Sequence, residues 1–362
     1  MITIHRSLLI MCSLLCFSAF NIGLFHYTWR RSSETIECTN NPVIIVNHSA
    51  YKVHEYHRRE YPEKILMCAI VKNEEAYIDE WVDYHHALGF DKFFIYDNSA
   101  KFEMRSWGEG KGNHVDMKHF PKNQIAQRLA YLDCARRGIV KDRLVENVTY
   151  TWAAFFDIDE FLVLRKHENV HEFLSEHLKG GSLGISWTIM ETTEDDVLYS
   201  PIPVTKRFQY HRKVLPNSRT FKSIVKLSDM YLKLGMEGGI HNFMVRNGTA
   251  GGYAAITHDT SGRYWTGFFQ PRGEARDVAS LYHYHQKSYK EYVEKRMRGS
   301  AYTNKYFEQK LNASLAQFDE ALKGVPTREK ENIARKDDLI FDDSVWKAMK
   351  WYVPKYNMFD NF

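Results

Sequence analysis

The sequence predicts an α/β fold built on a mostly parallel sheet with helices on both faces. Two observations carry this. Short continuous apolar runs alternate with segments of helical spacing, the pattern of strand–helix–strand units. Each run also ends in polar residues rather than in further apolar ones. The first run, ILMCAIV from Ile65, is bounded by Lys72-Asn73-Glu74 and reads as a buried parallel strand. From Glu74 to Leu88 the spacing is helical: Ile78, Trp81, Val82 and His85 share a face, and Gly89 is a stop signal. KFFIYDNS, from Lys92, is a second buried strand with a polar end. A Gly-rich loop, WGEGKGN, follows from Trp107, then a short strand around His114 to Phe120 and a helix from about Asn123 to Arg137. YTWAAFFDID, from Tyr150, is the fourth strand. In parallel sheets ligands bind outside the carboxyl ends of the strands. The polar ends VKNEE, YDNS and DIDE are therefore expected to converge on one crevice. Further on, Gly184 to Met190 reads as a strand before the acidic stretch ETTEDD, and FKSIVKL, from Phe221, ends the mixed part. From Tyr289 the chain is charged and helical in period (YKEYVEKRMRG, then YFEQKLNASLAQFDEALKG).

The chain has 362 residues, 44% of them hydrophobic, enough for a sizeable core, and its formal net charge is +4. With no long basic run, nucleic acid is not expected as a partner. Leu8 to Phe25 carries no charge and, at roughly 18 residues, meets the lower limit for a membrane span; it reads as a signal-anchor rather than a cleaved signal peptide. Sequons at Asn47, Asn147, Asn247 and Asn312 favour a body in the secretory lumen. The expected organisation is a cytoplasmic tail (1–7), a transmembrane signal-anchor (8–25), a stem (26–62), a catalytic domain (63–300) and a C-terminal helical extension (301–362). Cys68 and Cys134 are either a disulfide, which a lumenal compartment permits, or buried free thiols.

The chemistry concentrates in FFDIDEFL, Phe155 to Leu162. In an extended segment Asp157 and Asp159 point to the same side, with Ile158 opposite. Two carboxylates so placed repel unless a cation binds, and unpaired burial is costly. Oxygen ligands suit Mg2+ or Mn2+, and a histidine shifts the preference toward Mn2+. His283 and His285 in LYHYHQKS are available for this. The alternative is a pair of solvated turn residues.

Three stretches taken together resemble glycosyltransferase family 92: CAIVKNEEAYIDEWVDYHHALGFDKFFIYDNS, WAAFFDIDEFL and LYHYHQKSYKEYVEKRMRG, in the family's order between about Lys64 and Gly299. They are also similar to family-2-like transferases. The resemblance implies a GT-A fold, a nucleotide-sugar donor, a divalent metal (Mn2+ or Mg2+) and a Golgi lumenal setting. It further implies an inverting transfer of galactose from UDP-galactose to a glycan or polysaccharide. By the same resemblance, Asp157 and Asp159 are the Asp-x-Asp pair and His283 completes the metal site. Asn73, Glu74 and Asp97 contact uracil and ribose, Asp157 the ribose or the metal's second side, and Lys287 the diphosphate. The bland alternatives are a first-turn helix acid for Glu74, a turn for Asp97-Asn98-Ser99, and core roles for Trp81 and His85. An inverting enzyme needs a general base near the acceptor. Glu191, Glu194, Asp195 and Asp196 in METTEDDVL are the candidates, where the family has a Gly/Ser-rich segment after the tryptophan that is Trp187 here. Trp265 and Phe268 are candidate sugar-stacking aromatics.

Overall fold

The computed structural model describes residues 26–27, 38–39, 61–122, 125–139, 149–178, 180–193, 199–212, 220–233, 239–247, 251–267, 269–270, 275–298 and 336–361. The chain divides into two compact units, Met1–Val53 and His54–Phe362. In the first, His26–Tyr27 pairs antiparallel with Cys38–Thr39. The expected signal-anchor, Leu8 to Phe25, lies outside the described residues, among which no helix is long and apolar enough to cross a membrane.

In the second unit β1 (Ile65–Val71), β2 (Lys92–Asp97), β3 (Val115–His119) and β4 (Trp152–Phe155) are parallel, in the order β3-β2-β1-β4. The helices α1 (Ile78–Leu88), α2 (Arg105–Glu109) and α3 (Ala126–Ile139) stand between them in the chain. These strands read as unbroken apolar runs because both faces are covered. Ile65, Met67, Ala69 and Val71 enter one core with Trp81 and Tyr84 of α1, while Leu66 and Cys68 enter another with Tyr131 and Cys134 of α3. Gly89 ends α1 in the left-handed conformation (φ 116°) that glycine adopts without strain. Cys68 and Cys134 form a disulfide with Cα atoms 6.1 Å apart, which resolves the alternative left open by the sequence.

Two expectations need correction. WGEGKGN is not one loop: α2 takes its first three residues and a 3-10 turn its last two, continuing to His114. FFDID does not continue the fourth strand either. β4 stops at Phe155, and the Glu160 amide donates to the Asp157 carbonyl (3.0 Å), closing a turn before β5 (Glu160–Leu164) begins. The apolar side chains of Phe156 and Ile158 stay buried through that turn, so it leaves no mark on the hydrophobic pattern.

Next come α4 (Val170–His177), β6 (Ser182–Ile189), α5 (Val204–Arg207), β7 (Phe221–Lys226), β8 (Ile256–His258), β9 (Tyr264–Thr266) and β10 (Ala279–His283). β7 is antiparallel to both β4 and β6, and it extends the sheet. β8 and β10 run parallel to β6, and β5 runs antiparallel to β10. Gly184 is required on β6, since a Cβ there would come within 2.8 Å of Thr257 and Trp265. Trp265 itself is core, packed edge-on to Phe221. Phe268 lies outside the described residues.

The last elements are α6 (Tyr289–Met297) and α7 (Ser344–Tyr352). Among the described residues the 301–362 segment is not purely helical. Leu339–Phe341 pairs antiparallel with Tyr210–Arg212, and Val345, Trp346 and Met349 of α7 join the core that holds α1. Of the sequons only Asn247 is described, on a short strand paired with Gly252–Ala254.

Candidate active site at the carboxyl ends of the strands

The parallel register of β1 with β2 and β4 sets their carboxyl ends along one edge. The turn after β4 gives Asp157 and Asp159 different partners. Asp157 accepts from Gln127 Nε2 (2.8 Å) and Tyr131 Oη (3.2 Å) on α3 and from Lys222 Nζ on β7 (2.9 Å). Glu160 points inward: its Oε2 accepts the Asp157 amide (2.9 Å), and Lys222 Nζ lies 3.9 Å from its Oε1. Lys222 and Glu160 are wholly buried. Burial pushes the Glu160 carboxyl well above its ordinary range, with Lys222 only partly opposing. Burial acts against Asp157 as well, but there Lys222 wins and its pKa falls below normal. Lys222 is depressed by burial and raised more by Asp157 and Glu160, so it stays charged. The cation between Asp157 and its neighbour Glu160 is thus a lysine.

Asp159 is nearly buried and has different partners. The antiparallel register of β10 on β5 sets His283 opposite Glu160, next to Asp159, and His283 Nε2 lies 3.4 Å from Asp159 Oδ1. Lys295 Nζ donates to Asp159 Oδ2 (2.5 Å). Burial penalises the Asp159 charge, but Lys295 and His283 hold its pKa well below the carboxylate range. Burial lowers His283, against the pull of Asp159, so its imidazole is neutral near pH 7. For bonds of about 2.1 Å at right angles, neighbouring ligand atoms lie about 3 Å apart. The carboxylate oxygen and imidazole nitrogen at 3.4 Å therefore fit one divalent cation, and this O/N donor set suits Mn2+.

α6 brings cations to this site. Ser288 and Glu291 form a reciprocal cap at its start, and Arg207 grips Glu291 in a bidentate pair (2.7 Å each) while Tyr77 donates to it (2.8 Å). Positions 291, 295 and 298 share one helical face. Lys295 therefore reaches Asp159, and Arg298 reaches the Asn73 carbonyl (2.7 Å) and the Glu74 carboxylate. Lys287, just before the helix, is buried with Nζ 4.2 Å above the Tyr77 ring, and burial lowers its pKa. Asn73 is exposed with positive φ (52°). Asp97 is fully buried; its oxygens accept the amides of Ser99 (2.8 Å) and Met104 (3.2 Å), so it shapes the loop after β2 from beneath.

Glu191 accepts from Arg212 Nε (2.7 Å). Glu194, Asp195 and Asp196 lie outside the described residues. His85 is core, donating Nδ1–H to the Trp81 carbonyl (2.9 Å) and accepting the Leu162 amide at Nε2 (3.3 Å). His285 stacks edge-on to His283, and its carbonyl faces Lys295.

The sequence had not singled out Lys222, Lys295, Arg298 or His241 as functional. His241 donates Nδ1–H to the Phe221 carbonyl (2.9 Å), so its Nε2 carries the lone pair. Burial and nearby Lys222 lower its pKa to about 4. Trp187 stands between, its ring 4.2 Å from that of His283 and 5.6 Å from that of His241. Among the described residues Trp187 Nε1 and Glu74 Oε2 are buried without hydrogen-bond partners, polar atoms available to a bound molecule. A lysine inside the buried run FKSIV was a signal for Lys222, and Arg298 stands in the Arg-Gly of the third motif. Nothing local marked His241.

Residues 63–232 match the family model described as Glycosyltransferase family 92, in agreement with the first two motif stretches; the third, from Leu281, lies beyond the match. Glycosyltransferase family 92 proteins are among the similar curated sequences. One from Ricinus communis is 26% identical over 132 residues, 34% of this chain and 22% of the relative. One from Oryza sativa subsp. japonica is 24% identical over 121 residues, 33% of this chain and 20% of the relative. One from Arabidopsis thaliana is 27% identical over 108 residues, 29% of this chain and 17% of the relative. The chain spans about a fifth of the length of the curated relatives it matches.

Proposed function

Taking residues 63–232 as a glycosyltransferase family 92 domain, we propose that the protein is an inverting, metal-assisted glycosyltransferase of GT-A type. Its donor is a UDP-sugar, with UDP-galactose the first candidate, and its acceptor a hydroxyl of a glycan or polysaccharide. The observation that carries this is the pairing of Asp159 with His283 beside Lys287 and Lys295, an O/N ligand pair next to two lysines at the strand ends. Asp159 and His283 would hold Mn2+ or Mg2+. When bound, such an ion neutralises charge on the departing diphosphate as a Lewis acid. Lys287 and Lys295 face the same phosphates, and Arg298 holds the Asn73–Glu74 strand end for the nucleoside. Asp157, fixed by Lys222, Gln127 and Tyr131, offers its rim to the ribose. Trp187 Nε1–H and neutral His241 Nε2 supply one donor and one acceptor on the sugar side. Glu191 is taken up in an ion pair with Arg212, and Glu194, Asp195 and Asp196 are proposed for the general base. A Golgi lumenal body behind a signal-anchor at Leu8 to Phe25 completes the proposal, and the Cys68–Cys134 disulfide supports an oxidising compartment.

The test is a UDP-sugar screen of the purified protein with and without Mn2+, counting UDP release with and without glycan acceptors. Turnover is expected with Mn2+ and at least one donor, falling about 100-fold or more in Asp159→Asn. No turnover of any UDP-sugar, together with UDP binding unchanged by Asp159→Asn, would overturn the proposal.

A further inference from the structure

A second group of metal-binding side chains meets at the other end of β5. That strand starts beside Asp159 and ends at Leu164, so its ends are roughly 13 Å apart at about 3.3 Å per residue. His167 follows in the connection to α4, and the last turn of α4 carries Glu176 and His177. Asn169 caps the helix, its side chain accepting the Glu172 amide (3.0 Å), which fixes the helix start three residues beyond His167. His167 Nε2 lies 3.0 Å from Glu176 Oε2, and His177 Nε2 lies 3.5 Å from Glu176 Oε1. One ligand atom from each residue falls within 4.8 Å of the other two. Both imidazoles pack on Phe173, with ring centroids at 5.6 and 5.3 Å, and stand nearly perpendicular to each other. Their side chains are 9% and 12% exposed, while Glu176 is 66% exposed at the rim. The His177 carbonyl is tied to His258 Nε2 on β8 (2.9 Å).

Two imidazoles and one carboxylate are a zinc donor set, with a fourth position left for water. A tetrahedral ion with bonds of about 2.0–2.1 Å sets neighbouring donors about 3.4 Å apart. The two nitrogen–oxygen separations, each to a different Glu176 oxygen, lie within about 0.4 Å of that value. The carboxyl end of a helix also favours a cation.

We propose that His167, Glu176 and His177 form a zinc-type divalent-cation site, separate from Asp159 and His283, that clamps the last turn of α4 to the chain leaving β5. Its bound ion braces the connection into β6. The test uses the full chain without a histidine tag, stripped by chelator and titrated with Co2+ and then Zn2+. Expected is one Co2+ equivalent with the intense visible absorption of a low-coordinate site, displaced by Zn2+ and distinct from any weakly absorbing ion at Asp159 and His283, and a rise in Tm with Zn2+. Glu176→Gln and His167→Ala should each weaken binding at least tenfold and remove the Tm rise, whereas Asp159→Asn should change neither. Glu176→Gln alters only a rim residue, so it tests ligation even if His167→Ala folds poorly. Absence of the intense low-coordinate absorption, or Zn2+ binding and a Tm rise undiminished in Glu176→Gln, would overturn the site.

Discussion

Replacing Lys222 with methionine removes the cation shared by two carboxylates, one of them fully buried. Its Nζ lies 2.9 Å from Asp157 and 3.9 Å from Glu160, and neither Lys222 nor Glu160 reaches solvent. Methionine fills much of the lysine's volume, so the loss is chiefly electrostatic. Breaking a buried pair from one side costs about 3–5 kcal/mol, because the remaining charge stays desolvated. Part of that loss is avoided by protonation. Glu160 is already raised by burial and rises further without Lys222. A carboxyl whose folded pKa exceeds its unfolded one favours the native state below the unfolded pKa, and that advantage is lost as pH rises through the folded pKa. The deficit of Lys222→Met should therefore be largest near pH 7 and shrink toward pH 5. Adding Glu160→Gln should recover about 1–3 kcal/mol as a coupling term. Urea unfolding followed by tryptophan fluorescence at both pH values measures all of this. A deficit below about 1 kcal/mol, or one that does not change with pH, would refute the buried triad.

Further predictions concern the core and the site. His85 has a folded pKa near 3 against about 6.5 unfolded, so its contribution is intact above pH 6.5 and is lost as pH falls toward 3. The full window is worth about 5 kcal/mol, and His85→Gln should flatten the stability profile between pH 6.5 and 4; an unchanged slope counts against the buried neutral imidazole. Reducing the Cys68–Cys134 disulfide, which spans a sequence separation of 66, should cost about 4 kcal/mol by loop entropy, read from urea midpoints with and without reductant. Arg298→Ala should raise the Kd for UDP about tenfold by calorimetry, the value of one charge-assisted contact. Unchanged affinity would take Arg298 out of the nucleotide site.

The strands β1, β2 and β4 were legible because burial on both faces writes an unbroken apolar run, and α1 because its apolar residues recur at helical spacing before Gly89. The pairing of Asp159 with a histidine was legible through the motifs. The turn at Asp157–Glu160 was not, because Phe156 and Ile158 remain apolar through it. Lys222 was hidden for a different reason: its partner Asp157 is 65 residues away. Lys295 is 136 residues from Asp159.

The sequence by itself determined the parallel α/β frame and the residue types gathered at its carboxyl ends, since these follow from local periodicity and strand direction. Only the tertiary structure decided which charge meets which. It assigned Lys222 to Asp157 and Glu160, gave Asp159 to His283 and Lys295, and set Asp97 beneath its loop. Coulomb and desolvation energies depend on distance and burial in space, and these are set by chain segments far apart in sequence.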